Sequence, residues 1–271
     1  MPHAQHLVRR MFEHIEAIGT VSFGQETTDE FLAIGMRDYW DGYFAGRAAP
    51  LGRAPAEVVD AVFYNFAPGE VARHVPWIWT RTTPEEAVAL RERGSVATLR
   101  RRLGALAEAP GIATAADLAT RAAVNGPTEG RPLYSGLLTL AVPEEPLAKL
   151  WHAATLLREH RGDGHNAILV AHGIDRTEAH VLLALRFGER PEEFGRLHHL
   201  PAERIAAAVE RLRVRGIVDD AGAFTEEGRA TRERIEDLTD TVAAPAYDVL
   251  SADELARLIA ELDPVTDALS G

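Results

Sequence analysis

The sequence predicts a mainly α-helical protein, and three observations support this class. Apolar residues recur at the three- and four-residue spacing of one helix face, as in Ile205, Val209 and Leu212. No long series of alternating strands is present, and N-cap residues precede several of these periodic segments. Hydrophobic residues make up 46% of the 271-residue chain, so it has a sizeable core without disulfides, and cysteine is absent.

Two halves are predicted, separated by a loop. Residues 1–125 form an N-terminal helical half rich in aromatic side chains, in which Thr83 begins a capping-box pattern that predicts a helix from about residue 84. The turn-rich stretch 125–132 is the candidate boundary. In the C-terminal half, residues 146–271, Ser251 begins a second capping box and predicts a helix from about residue 252.

The C-terminal half contains an ordered series of short elements between residues 174 and 240. Three predicted helices are followed by a strand, an Asp/Gly turn and a second strand, and Thr225 then opens another helix. The three helices and the hairpin are expected at 177–187, 191–197, 201–215 and 217–224. This order predicts a winged helix-turn-helix unit.

Two resemblances accompany that order. The phrases Leu-Arg-Val-Arg-Gly-Ile-Val at 212–218 and Phe-Thr-Glu-Glu-Gly-Arg at 224–229 resemble the winged-helix domain of MarR-type regulators. The whole chain is also similar to a group of actinobacterial helix-turn-helix proteins, through the phrases at 43–52, 63–68 and 150–165. These resemblances imply the fold and no particular activity.

A weak internal echo predicts a tandem, pseudo-dimeric arrangement of two winged-helix-like halves. Residues 33–38 parallel residues 171–176, and residues 68–71 parallel residues 201–205, so the offsets are 138 and 133. A fused duplication would let one chain imitate a two-fold dimer. Chance similarity between Ala-rich helices is the alternative.

The charge balance is acidic. The net charge is -12, which repels nucleic acid and anionic membranes unless a local basic face overrides it. No apolar run approaches the roughly 18 to 20 residues of a membrane span, and no signal-peptide core follows the N-terminus. We therefore expect a cytoplasmic protein without a membrane partner, and the oligomeric state is open.

DNA binding is the alternative function for the winged helix. On its third helix, Arg204, Arg211 and Arg215 share a stripe that could face a groove. The surroundings oppose this role, because residues 175–240 hold eleven Arg against fifteen Asp and Glu, a net charge of -4, and Asp219 and Asp220 occupy the wing. Arginines paired with neighbouring acids on a solvated face are the simpler interpretation.

The segment 159–166 concentrates groups suited to acid–base chemistry. Its two glycines predict a tight turn that brings His160, Asp163 and His165 together, with Asp163 orienting a proton-carrying histidine and with Arg161 or Arg47 clamping an anion. In the alternative interpretation these residues only end one helix and cap the next. Whether the protein is an enzyme is open, and no metal or cofactor is expected.

Aromatic residues concentrate between positions 39 and 79, which hold nine of the chain's eighteen Phe, Trp and Tyr. A ligand pocket with a few polar groups and an ordinary aromatic core both fit this composition. The predicted ligand-binding residues here are Tyr39, Tyr43, Arg47, Tyr64 and Asn65.

The leading hypothesis is a small-molecule-binding winged-helix protein with a pocket between its halves for an aromatic or anionic ligand. Whether this pocket also performs acid–base catalysis through His and Asp is left open. A MarR-like, ligand-responsive DNA-binding regulator is the alternative. A protein-interaction module is a third class that no particular residue supports. The sequence holds no P-loop, dinucleotide fingerprint, nucleophile elbow or HExxH motif, so the common enzyme classes that use them lose support.

Overall fold

A computed structural model describes residues 5–64, 66–194 and 200–271. Those residues are mainly helical, as the sequence predicts, and contain no β-strand. Twelve α-helices are present in this part of the chain: α1 (Gln5–Gly19), α2 (Gln25–Ala33), α3 (Tyr39–Ala48), α4 (Ala56–Phe63), α5 (Pro84–Leu103), α6 (Pro110–Ala123), α7 (Pro132–Leu137), α8 (Pro146–Ala171), α9 (Arg176–Arg186), α10 (Ala202–Val214), α11 (Glu226–Ala243) and α12 (Ala252–Ser270).

Side-chain caps fix the starts of several helices. The Thr83 hydroxyl accepts a hydrogen bond from the Glu86 amide at the start of α5. Ser251 and Glu254 form a complete capping box at the start of α12. Both predicted helix starts are therefore confirmed, since each cap satisfies amides that have no partner within the helix.

Helix α8 is the central element of the fold. It packs against α1, α5, α6, α7 and α11, while α1 also packs against α12. The largest apolar cluster combines residues from before and after the 125–132 loop, such as Leu99 and Leu150, both at most 1% exposed. The two predicted halves thus share one hydrophobic core. No helix in the described part of the chain combines the length and apolar character needed to cross a membrane.

Two smaller cores flank the central one. The first gathers most of the aromatic residues between 39 and 79, including the fully buried Phe44 and Phe63, whose rings stack 6.0 Å apart. The second joins α9, α10 and α11 through residues such as Val181, Leu212 and Ile235. Much of the aromatic concentration is therefore ordinary core.

The helix order of the predicted winged unit is found, but its wing is not a two-stranded hairpin. Helices α9, α10 and α11 occupy the predicted first, third and last positions. Between α10 and α11, one isolated antiparallel bridge joins Val218 to Phe224 around an Asp219–Gly222 turn. Of the second predicted helix, 191–197, residues 191–194 form a turn, and residues 195–197 lie outside the described part.

The segment 159–166 is not a turn, and this prediction is wrong. It lies inside the 26-residue helix α8. A Cβ on Gly164 would lie 2.9 Å from a methyl group of Val242, so this glycine allows α11 to approach α8 closely. Gly164 therefore marks a close contact between two helices. Glycine is found at such contacts as well as in turns, so the residue type alone does not distinguish them.

The internal echo has the same local structure at one of its two positions. Gly35 and Gly173 both have positive φ after a helix end, and Asp38 and Asp175 then cap the next helices. The second pair differs, because residues 68–71 lead into a three-residue 3-10 turn, whereas residues 201–205 begin the 13-residue helix α10. The described residues therefore do not show the predicted tandem arrangement.

Candidate functional site

A narrow cavity lies among α2, α3 and α5. Its empty volume is about 300 Å³, including its open mouth. Phe23, Phe31, Tyr39 and Tyr43 form its aromatic wall. Thr27, Arg47 and Arg91 are the polar groups relevant to binding. Three predicted ligand-binding residues, Tyr39, Tyr43 and Arg47, are therefore brought together here. Residues of the N-terminal half line this cavity, so it differs from the predicted pocket between the halves.

Helix α8 supplies the counter-charge for Arg47. The Arg47 Nη2 atom lies 3.0 Å from Glu159 Oε2, and Arg47 Nη1 donates a hydrogen bond to the Tyr43 hydroxyl at 3.0 Å. The side chains of Arg47 and Glu159 are 10% and 2% exposed, respectively. This contact is thus a buried ion pair between the two halves, next to the cavity.

Glu159 also forms an ion pair with a second arginine, Arg158. Arg158 donates to Glu159 at 3.1 Å and forms a further ion pair with Glu16 on α1. Burial raises the pKa of the Glu159 carboxyl, but the charges of Arg47 and Arg158 outweigh burial and bring it to about 2. Glu159 is therefore ionised at neutral pH.

Arg91 is the unusual group of this cavity. It is 5% exposed, and its Nη2 atom has neither solvent contact nor a hydrogen-bond partner. Burial lowers the pKa of its guanidinium to about 10. The hydroxyl of Thr27, which is also buried, has no partner either. Buried polar groups are nearly always hydrogen-bonded, so two unpartnered groups lining one cavity mark a place where a ligand or water binds.

The polar interior continues along α8. His152 and Thr155 are buried, and His152 Nε2 and Thr155 Oγ1 lack partners. Burial, with the charge of Arg91, lowers the pKa of His152 to about 4, so its imidazole is neutral. None of Arg91, His152 and Thr155 was predicted as a site residue. The position of Arg91 in the sequence was one available signal that it is buried. It lies one residue after Leu90 and three residues before Gly94, and both of these lie on the buried face of α5.

The three predicted catalytic residues point to different neighbours. His160 packs edge-on against the Tyr134 ring, with ring centroids 4.8 Å apart. Asp163 accepts hydrogen bonds at 3.0 Å from the Leu133 and Tyr134 amides, which caps α7. His165 contacts the Thr239 hydroxyl at 3.0 Å. The carboxylate of Asp163 therefore binds amides of α7, and the structure does not bring the three groups to one point.

The remaining predicted ligand-binding residues lie elsewhere. Arg161 pairs with Glu236 and Asp240 and stacks over the Phe12 ring, in a second cavity of about 250 Å³ that His160 also lines. Tyr64 has a positive φ of 59° and donates its hydroxyl hydrogen bond to the Ile174 carbonyl. Asn65 lies outside the described residues.

Two of the three proposed DNA-contacting arginines have partners within the protein. Arg211 forms ion pairs with Asp175 and with Glu178, whose side chain is 3% exposed. Arg215 donates hydrogen bonds to the His172 and Gly173 carbonyls. These two arginines therefore hold α10 against the junction between α8 and α9, whereas Arg204 is exposed on α10.

One group of potential metal ligands exists in the described residues. Oxygen and nitrogen atoms of Asp38, Asp41 and His74 lie within 4.8 Å of one another. The Asp41 carboxylate is already engaged by the Arg37 guanidinium and by His74 at 2.7 Å, and Asp38 accepts from the Asp41 amide. A cation would have to displace an arginine, so this group is an ion-pair network around the start of α3.

Comparison with known proteins adds the family. Residues 8–271 match the model of a helix-turn-helix family. The chain belongs to this family. No curated protein and no solved structure matches it. Membership in a helix-turn-helix family agrees with the order of α9 and α10 and connects the chain to a fold that many DNA-binding regulators use, but a fold assigns neither a ligand nor a reaction.

Proposed function

We propose that this helix-turn-helix family member binds a small organic monoanion in the cavity among α2, α3 and α5. Arg91 carries the proposal, because it lines the cavity with a buried Nη2 atom that has no acceptor. A carboxylate is planar and presents two acceptor oxygens, which matches the donor geometry of a guanidinium.

The charge of the surrounding groups favours a single negative charge. Three arginines, Arg47, Arg91 and Arg158, surround one fully buried carboxylate, Glu159. Arg158 is also neutralised by Glu16, and Arg47 by Glu159. One positive charge, that of Arg91, is left without an ion pair among the described residues. A monoanion would compensate this charge, which is costly to bury alone.

The apolar part of the ligand follows from the wall of the cavity. Phe23, Phe31, Tyr39 and Tyr43 offer ring faces and edges, and Gly42 and Gly46 let the Phe31 side chain pack closely on α3. Aromatic rings stack favourably on such surfaces, so the proposed ligand carries a planar aromatic body. We therefore infer an aromatic monocarboxylate. This proposal concerns binding and assigns no proton transfer to His160, Asp163 or His165, because none of the three lines this cavity.

Calorimetric titration with benzoate tests the proposal. We expect benzoate to bind and its neutral isostere benzamide to bind at least about tenfold more weakly, since about 1.4 kcal/mol separates affinities by tenfold. Arg91→Gln should abolish the difference between the two compounds. Arg93→Gln is the matched control, because Arg93 lies two residues further along α5 and is 58% exposed. Equal binding of both compounds, or no binding, would reject the proposal.

DNA binding is a second candidate, and membership in the helix-turn-helix family favours it. Of the three arginines considered for this role, Arg204 is the one on the exposed surface of α10 without an ion pair among the described residues. Anisotropy measurements with duplex DNA at about 50 mM salt should then show binding that weakens with added salt and with Arg204→Ala. If no binding is detected at low salt, the regulator hypothesis fails.

A further inference from the structure

A further cavity, separate from the two described above, opens between the C-terminal end of α8 and helices α9 and α11. Its empty volume is about 400 Å³, including its open side. His165, Arg186, Arg232 and Glu236 are its polar lining residues. Its apolar lining residues are Leu169, Ala179, Leu182, Leu183 and Ile235. This cavity shares no lining residue with the one among α2, α3 and α5.

The positive groups of this cavity lack partners, whereas the negative group has one. Neither Arg186 nor Arg232 forms an ion pair with another residue in the described ranges, although Arg186 lies over the Phe187 ring. Glu236 is paired with Arg161 at 2.8 Å. Burial and the charge of Arg186 lower the pKa of Arg232, although the charges of Glu236 and Glu233 partly oppose them. Two guanidinium groups that line one cavity without a direct ion pair form a place for an anion.

The apolar residues lie beside these arginines, so the cavity is amphipathic. Leu169 and Leu182 are buried at 4% and 7% exposure and belong to the core that joins α9, α10 and α11. The side chains of Ala179, Leu183 and Ile235 complete an apolar lining from three helices. An occupant must therefore combine a negative head with an apolar body.

We propose that this cavity binds a monocarboxylate with an alkyl chain of medium length, its head held by Arg186 and Arg232 and its chain lying on the leucines. Each guanidinium offers parallel N–H donors to a carboxylate. The chain replaces water along the apolar lining, and each methylene group that is buried there strengthens binding. His165 borders the cavity but is engaged with Thr239, so it is not required for the head group.

The test is titration of the whole protein with decanoate, below the concentration at which it forms micelles. We expect decanoate to bind at one site, which this cavity provides. The neutral decanol should bind at least tenfold more weakly, and hexanoate, with its shorter chain, should also bind more weakly. Arg186→Gln and Arg232→Gln should each lower the affinity for decanoate about tenfold or more. Arg234→Gln, on the exposed surface of the same helix as Arg232, should leave it unchanged.

Separate variants distinguish this site from the benzoate site. Arg91→Gln should leave decanoate binding intact, and Arg186→Gln should leave benzoate binding intact. The unfolding temperature of each variant without ligand serves as the folding control. Absence of decanoate binding, equal binding of decanol, or affinities unchanged in both Arg186→Gln and Arg232→Gln would each overturn the proposal, whatever the outcome with benzoate.

Discussion

Glu159 on α8 accepts hydrogen bonds from Arg47 on α3, across a separation of 112 residues in the chain. Both side chains are buried, and the pair connects the central helix to the cavity of the N-terminal half. A buried ion pair stabilises a protein little compared with an apolar pair of the same shape, but loss of one partner is costly. Glu159 is therefore the group on which the charge balance of this region depends.

Glu159→Gln should destabilise the protein strongly. The amide of glutamine carries no negative charge. The guanidinium groups of Arg47, Arg158 and Arg91 would therefore lose the carboxylate that they surround. Breaking a buried pair by removing one partner costs about 3–5 kcal/mol. Urea denaturation at neutral pH measures the difference through the midpoint and slope of the transition.

The matched control is Glu144→Gln, because Glu144 is exposed just before α8. That change should alter the free energy of unfolding by less than about 0.5 kcal/mol. If Glu159→Gln is equally mild, the described ion pairs do not persist in solution.

Arg91→Met should have the opposite effect on the free protein. Methionine keeps an unbranched side chain at this buried position and removes the unpartnered guanidinium Nη2. Replacement of buried charged groups by apolar ones often stabilises a protein by about 1–4 kcal/mol. We expect a higher unfolding temperature without ligand, together with loss of the stabilisation that benzoate gives the native protein. A lower unfolding temperature would mean that the contacts of Arg91, such as the Trp151 ring 5.7 Å from its guanidinium carbon, outweigh the cost of burying its charge.

The helix starts could be predicted from the sequence because caps are local. Thr83 and Ser251 lie within three residues of the amides that they satisfy, so the pattern and the contact are the same short segment. The order of α9, α10 and α11 followed from similar local signals.

The site needed contacts that no local pattern contains. Arg47, Arg91 and Glu159 meet only after α3, α5 and α8 have packed, and a charged residue on a predicted helix is usually solvated. Gly164 misled the prediction for the same reason. A Cβ at this position would crowd Val242 on α11, a partner 78 residues away that the sequence does not identify.

Two glycines inside helices should respond oppositely to alanine. A Cβ on Gly94 of α5 would clash with the backbone of Thr27, so Gly94→Ala must push α2 away and should cost about 1–3 kcal/mol. A Cβ on Gly162 of α8 would meet nothing closer than 3.6 Å, at Glu159. Gly162→Ala should therefore stabilise the protein by about 0.5–1 kcal/mol. Thermal unfolding of both variants checks the sign, and equal effects would contradict the close α2–α5 packing.

Asp163→Asn should change how stability depends on pH. Burial raises the pKa of the Asp163 carboxyl to about 7, so the folded state holds this proton more tightly than the unfolded chain. The resulting stability is complete below about pH 4 and is lost as the pH rises through about 7, at up to about 1.4 kcal/mol per pH unit. Asparagine keeps an oxygen for the Leu133 and Tyr134 amides but does not titrate. The variant should therefore gain stability relative to the native protein between about pH 5 and pH 7.5.

His152 and His160 titrate in the opposite direction, with pKa values lowered to about 4, but both proteins contain them and their contribution cancels. Urea denaturation of both proteins at the two pH values measures the difference, and a difference independent of pH would show that Asp163 is already ionised in the folded state at the lower pH.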